Sequence, residues 1–230
     1  QFHVHAASVL SDLSSPPHTR IAQHLQSAGL YDRAAKSWMT AALLFRDLTD
    51  YQNFQWALMR VANCYRRSGI NVQSREWCIL STYWTLCQRI LGRSKCVLGR
   101  IKRVCRRLRG TTNWPEIVGA FQEWARIERM CNSVSAAMPH LRVAQSAARK
   151  VDDIALQFGV ELTLSDFCIL AEEMTDAQAS IEVLRDLLAQ HPQSISVRQW
   201  VAYLDRESRL AKSQGNHELA LKYSEEALDR

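Results

Sequence analysis

Nine Lys/Arg and no acid fall between Arg89 and Arg109, in a stretch that nearly repeats a heptad: LGRSKCV, LGRIKRV, CRRLRG. The chemistry open to such residues is anion binding. On a helix Leu91, Leu98 and Cys105 share one line, with Ile101 and Leu108 beside it and Val97 and Val104 on its flank, an apolar stripe that must pack. Arg93, Arg100 and Arg107 form a second line and Lys95, Lys102 and Arg109 a third, while Arg103 and Arg106 widen the positive face. Charges seven residues apart lie about 10.5 Å from one another, a spacing that meets several phosphates along a duplex. With roughly five phosphates neutralised, log K against log[salt] would have a slope of about −4.5. No Asn or Gln stands among the basic rows to read base edges, and no aromatic lies between Ile90 and Arg109 to stack on single strands. Contact is therefore expected with nucleic-acid backbone rather than with sequence. The same face suits an acidic protein surface, including the acidic half of this chain or of a second copy, so both partners stay open. A membrane surface is a weaker fit, because the apolar side lacks Trp and Phe anchors in this stretch.

Other chemistry is scarce. Neither a Walker-type GxxxxGK[ST] loop nor GxGxxG occurs, so nothing cradles a phosphate on backbone amides. His3-Val4-His5 reads as leader residues, and the adjacent pairs Asp152-Asp153 and Glu172-Glu173 as solvated helix faces. Seven Cys form no CxxC pair. Cys78, Cys87, Cys96 and Cys105 stand nine apart, which turns each thiol half a revolution from the last and cannot converge four on one metal. They are expected to pack as reduced thiols in an intracellular, cytoplasmic compartment, and Cys168 as an inert core residue. No enzyme activity, catalytic residue, cofactor, metal or small-molecule substrate is expected. Seven Trp are mostly core-filling, but Trp77 and Trp84, seven apart, could form a partner-binding strip.

The elements that position these residues are helices. With 47% hydrophobic and 23% charged residues, and only eight Gly and five Pro, the 230-residue chain has a globular composition and too few turns for a β-protein. Its longest uncharged run, from Trp77 to Gln88, is too short for a membrane span, and no secretory signal opens it. The net charge of +6 is split: residues 1–110 carry 17 Lys/Arg and five Asp/Glu, residues 111–230 carry 12 and 18. This predicts a flexible leader over 1–19, a basic helical domain over 20–110 that ends in a long basic helix, and an acidic helical domain over 111–230. About ten helices are expected: 20–27, 31–47, 51–67, then 72–109 as one helix or two jointed near Gly92, and 114–132, 139–158, 163–173, 175–190, 194–213 and 217–229.

Connections carry a pattern as well. Gly29, Tyr31, Ala34, Trp38 and Ala41 have the spacing of a tetratricopeptide-type second helix, and Gly215, Ala220, Ser224 and Ala227 repeat it. Leu58, Val61, Ala62, Tyr65 and Gly69 resemble the first helix of such a unit. The expected fold is all-α: antiparallel hairpins in a tetratricopeptide-like or irregular α-solenoid. The run Ile21-Ala22-Gln23-His24-Leu25-Gln26-Ser27-Ala28-Gly29-Leu30-Tyr31-Asp32-Arg33-Ala34-Ala35-Lys36-Ser37-Trp38, followed by Gln55-Trp56-Ala57-Leu58-Met59-Arg60-Val61-Ala62-Asn63-Cys64, resembles PerC/ANR-type bacterial regulators over residues 21–67. That resemblance implies a transcription-related role in control of virulence genes. The expected function is a non-enzymatic regulator that contacts nucleic-acid backbone or an acidic protein through the basic helix. The alternative is a tetratricopeptide-like interaction scaffold, or a self-assembling protein joined through its basic and acidic halves.

Overall fold

The computed structural model describes residues 1–229, which hold twelve α-helices, one 3-10 turn at Pro192–Ser194 and no strand. The chain divides into two compact units, Gln1–Arg107 and Leu108–Arg230. Among the described residues no helix is long and apolar enough to cross a membrane.

The first unit is a succession of helices, each packed on the next: α1 (Phe2–Ser11), α2 (His18–Ser27), α3 (Tyr31–Asp47), α4 (Tyr51–Arg67) and α5 (Arg75–Ile90). Its core is built on α3, where Ala34, Ala35, Ala41 and Ala42 let α2 and α4 approach closely and Trp38 fills the space beside them. Against these lie Ile21 and Leu25 of α2 and Phe54, Leu58 and Val61 of α4, all buried. Gly29, at φ +76°, turns the chain between α2 and α3 while the Leu30 amide donates to the Leu25 carbonyl at 2.9 Å. Asp50 caps α4 by accepting from the Asn53 amide at 3.1 Å.

The structure gives definite form to two stretches here. Within the stretch 1–19, expected as a flexible leader, residues 2–11 form α1, and Ala7 is buried in the core with Leu10 packed against it. The Ser-Ser-Pro-Pro breaker occupies only the link to α2. Of the two readings of 72–109, the jointed one holds: Gly92 takes φ +78° and ends α5, and α6 then runs from Ser94 to Leu108.

The second unit stacks three hairpins: α7 (Trp114–Cys131) with α8 (Val134–Ala148), α9 (Ile154–Leu170) with α10 (Met174–Gln190), and α11 (Val197–Ser213) with α12 (His217–Leu228). Helix α9 also packs on α7 and α11, so the first helices of the hairpins stand side by side. Their starts are unequally spaced, at wider intervals than the roughly 34 residues of a regular tetratricopeptide array. Helices α8 and α9 are displaced from expectation. Ser133 starts α8 by accepting from the Ala136 amide at 3.1 Å, and Pro139 sits inside the helix rather than opening it. Asp153 is not on a helix face: it caps α9, accepting from Leu156 at 2.9 Å. Gly159 lies within α9, where its carbonyl accepts from Gln122 Nε2 at 3.1 Å. A capping box starts α11, where the Ser196 hydroxyl accepts from the Gln199 amide and the Gln199 side chain accepts from the Ser196 amide.

Gly119, inside α7, has open space where a Cβ would stand. Gly119→Ala is expected to raise stability by about 0.5–1 kcal/mol, because glycine loses more backbone entropy in a helix. A urea titration in which the variant unfolds earlier than wild type would contradict this.

Candidate anion-binding face

Helix α6 buries Val97, Ile101, Val104, Cys105 and Leu108. The apolar seam is thus centred about a quarter turn around the helix from the expected Leu91–Leu98–Cys105 line: Leu98 is only half-buried, and Leu91 belongs to the end of α5, packed on the first unit's core. At about 100° per residue, Lys95, Arg103 and Arg106 stand opposite the buried side, and all three are exposed. Lys102 is half-buried at the edge. No acid occurs on the helix.

The remaining cations divide differently. Arg93 precedes the helix, with its Nη1 donating to Gln88 Oε1 at 3.4 Å. Arg109 follows the helix in a turn and places its guanidinium 5.8 Å from the Phe121 ring. Arg107 lies on the helix, but its Nη1 donates to the Val72 carbonyl at 3.0 Å, tying α6 to the loop before α5. Arg100 lies 5.8 Å over the Trp84 ring, and burial pushes its guanidinium below the ordinary arginine range, with the Arg103 charge adding to the effect. Of the eight cations read from the sequence, three form the outward face, one borders it, and four make contacts at its flank or outside the helix.

Trp77 and Trp84 come together on one side of α5. The Trp77 indole N–H donates to the Ile70 carbonyl at 3.1 Å, and the Tyr65 ring meets Trp77 edge-on at 5.5 Å. Both tryptophans line an open cavity of about 370 Å³ between α4, α5 and α6, with Met59, Leu58, Ala62 and Leu80. The strip suggested by their spacing is therefore part of a pocket. Its cationic members, Arg66 and Arg100, were not legible as its neighbours, because no spacing relates α4 to α6.

The second unit carries buried polar groups that the sequence did not single out. Asp166, 17% exposed, receives Arg209 at 2.5 Å, Arg206 at 3.5 Å and Arg129 at 4.0 Å. Glu207 accepts from Arg185 at 2.7 Å and from the Tyr203 hydroxyl, and burial, followed by that bond to Glu207, pushes the Tyr203 phenol well above its ordinary range. Cys168, Glu173 and Asp176 lie close together, but Arg142 already pairs with Asp176. All seven cysteines are free thiols; Cys64, Cys78, Cys87, Cys105 and Cys168 are buried and Cys96 is exposed.

Glu161 accepts from Gln145 Nε2 at 2.8 Å, while its second oxygen is buried without a partner. Burial pushes this carboxyl up, against the opposing pull of Gln145, Arg149 and Arg142. A carboxyl raised on folding binds its proton more tightly in the native state. Stability from this group is therefore full below the ordinary carboxylate range and falls as pH rises through it. Glu161→Gln should remove that decline, so its stability advantage over wild type grows from about pH 4 toward neutrality. Parallel stability curves for the two proteins would count against burial as the cause.

Residues 17–78 match the model of the PerC transcriptional activator family. The match spans α2, α3, α4 and the start of α5, and so takes in the Ala34-Ala35-Trp38 core and the Trp77 end of the cavity. No curated protein matches the chain. Solved structures share its fold. BtubC (BKLC) from P. vanneervenii is 11% identical with a TM-score of 0.69, over 99% of this chain and 89% of that one. A kinesin light chain protein with nearly identical TPR-like repeats from Podospora anserina is 12% identical with a TM-score of 0.61, over 84% and 93%. PilW, a type IV pilus biogenesis factor, is 14% identical with a TM-score of 0.56, over 95% and 90%. The fold is an all-helical, TPR-like succession of hairpins.

Proposed function

We propose that this protein is a non-enzymatic transcription regulator that contacts nucleic-acid backbone through the outward face of α6. The observation that carries the reading is the exposure of Lys95, Arg103 and Arg106 opposite the buried seam of a helix that has no acid. A face of like charges without internal partners gains most from a polyanion, and the match of residues 17–78 to a transcriptional activator family supports that class of partner. Control of virulence genes is the setting that the family resemblance suggests. The free thiols support action in a reducing compartment, the cytoplasm.

The experiment is a titration of mixed-sequence duplex DNA and an RNA hairpin at two salt concentrations, with wild type and the triple variant Lys95→Glu, Arg103→Glu, Arg106→Glu. Three phosphate contacts give an expected slope of about −2.7 in log K against log[salt], shallower than the sequence alone suggested. The triple variant should lose most binding with its helicity unchanged. If wild type binds neither nucleic acid at low salt, or the variant binds unchanged, this reading fails.

The TPR-like hairpins favour a second reading, a scaffold that captures an acidic protein or a second copy of itself. Sedimentation equilibrium of the pure protein over a range of salt tests its self-assembling form, which a monomer at every salt would eliminate.

A further inference from the structure

We propose that the cavity between α4, α5 and α6 binds a small aromatic carboxylate, making the first unit a ligand-responsive module. The floor is apolar: Leu58 and Leu80 are 0% and 3% exposed. Trp77 and Trp84 form walls, and the Trp77 N–H is already committed to the Ile70 carbonyl, so what it offers a ligand is its ring. Arg66 from α4 and Arg100 from α6 line the same space, and no acid lines it.

Two features make this a binding site rather than a packing defect. Its volume of about 370 Å³ falls within the range of ligand pockets, at its compact end. Two guanidinium groups also border the apolar wall with no acid in its lining to answer their charge. The Arg100 guanidinium lies 5.8 Å over the Trp84 ring, and its planar fork can take a carboxylate in two parallel bonds. The complementary molecule has a flat apolar body for the indole faces and one anionic end for the arginines. A nucleic-acid backbone does not meet that description, since it is anionic along its whole length and has no apolar end. Arg100 lies about 100° around α6 from the middle of the outward face, so this site and the proposed nucleic-acid face use different residues.

Calorimetric titration with 2-naphthoate tests the assignment, with uncharged 2-naphthalenemethanol as its control. Wild type should bind 2-naphthoate saturably at one site per chain, and the alcohol about tenfold or more weakly, because charge-assisted hydrogen bonds contribute roughly this factor. The double variant Arg66→Gln, Arg100→Gln, both changes at exposed positions, should weaken 2-naphthoate by a similar factor and leave the alcohol unchanged. Filling the space with Ala62→Phe should abolish binding of both. Ser81→Phe, from the opposite wall, does the same if the first variant fails to fold, as read from its thermal melt. Absence of saturable 2-naphthoate binding up to millimolar concentration would overturn the proposal. So would equal affinity for the alcohol, an unaffected double glutamine variant, or a folded filled variant that still binds. None of these outcomes bears on the DNA titration with the α6 triple variant.

Discussion

Replacing Trp38 with alanine is expected to destabilise the first unit by about 3–5 kcal/mol, the range for truncating a fully buried aromatic. The side chain is 1% exposed. Its ring meets the edge of Trp56 at 4.9 Å and 89°, and its indole N–H donates to Gln26 Oε1 at 2.9 Å. The four alanines of α3 have little bulk to fill the vacated volume, and Trp56 is the large side chain that adjoins it, so the cost should fall within that range. For a unit of about 100 residues this is a large share of a total of about 5–15 kcal/mol. Trp38→Phe separates the contributions: it keeps most of the apolar volume and forfeits the bond to Gln26, with an expected cost of about 1–2 kcal/mol. Urea unfolding followed by circular dichroism measures both. A loss below about 1 kcal/mol for alanine would mean that α2, α3 and α4 are held together elsewhere. The residue lies inside the segment that matches the activator family. Any regulatory defect of Trp38→Ala is therefore expected to follow the fraction unfolded, and Trp38→Phe should retain function.

What the sequence could disclose depended on whether the deciding interaction was local. Ala34, Ala35, Trp38, Ala41 and Ala42 repeat at helical spacing, and that stripe is the buried face of α3. Asp50 before Tyr51 is a cap whose bond spans three residues, and it forms as read. Punctuation misled where a tertiary contact overrode it. Gly159 looked like a stop, yet its carbonyl serves Gln122 of α7, a partner 37 residues away. Pro139 looked like a start, although Ser133 offered a better cap six residues earlier. At the candidate site the amphipathic character of α6 was legible, because the apolar and basic residues separate on one helix. The fate of individual arginines was not. Arg100 and Arg107 are the same residue type as Arg103 and Arg106 but stand about 90–100° around the helix from the outward face, where Trp84 and the Val72 carbonyl, brought in by α5 and its loop, engage them. Asp166 gave no signal at all, since its partners lie on α7 and α11.

Asp166→Ala should cost the second unit about 2–3 kcal/mol. The carboxylate is the common partner of Arg129, Arg206 and Arg209, so it links α9 to α7 on one side and α11 on the other. Removing one member of a buried ion pair costs about 3–5 kcal/mol. The arginine side chains are between a fifth and somewhat over a third exposed, so solvent screening lowers the expectation. What remains is chiefly repulsion, because the variant leaves three guanidinium groups converging with only Asp205, a partner of Arg206 and Arg209, to offset them. Two consequences separate this account from simple loss of packing. The penalty should shrink as salt is raised, since screening weakens repulsion between partly exposed cations. Adding Arg209→Ala to Asp166→Ala should also cost less than the sum of the single changes, because the second substitution removes a cation that the first left with only Asp205, 4.0 Å away, beside it. Additive effects with no salt dependence would show that Asp166 acts through shape alone. The same variant addresses the scaffold reading. The first helices of the three hairpins stand side by side partly because this carboxylate holds them, so a partner that binds across α7, α9 and α11 should be lost at a temperature where the unit is still folded. Binding at the α6 face should not change.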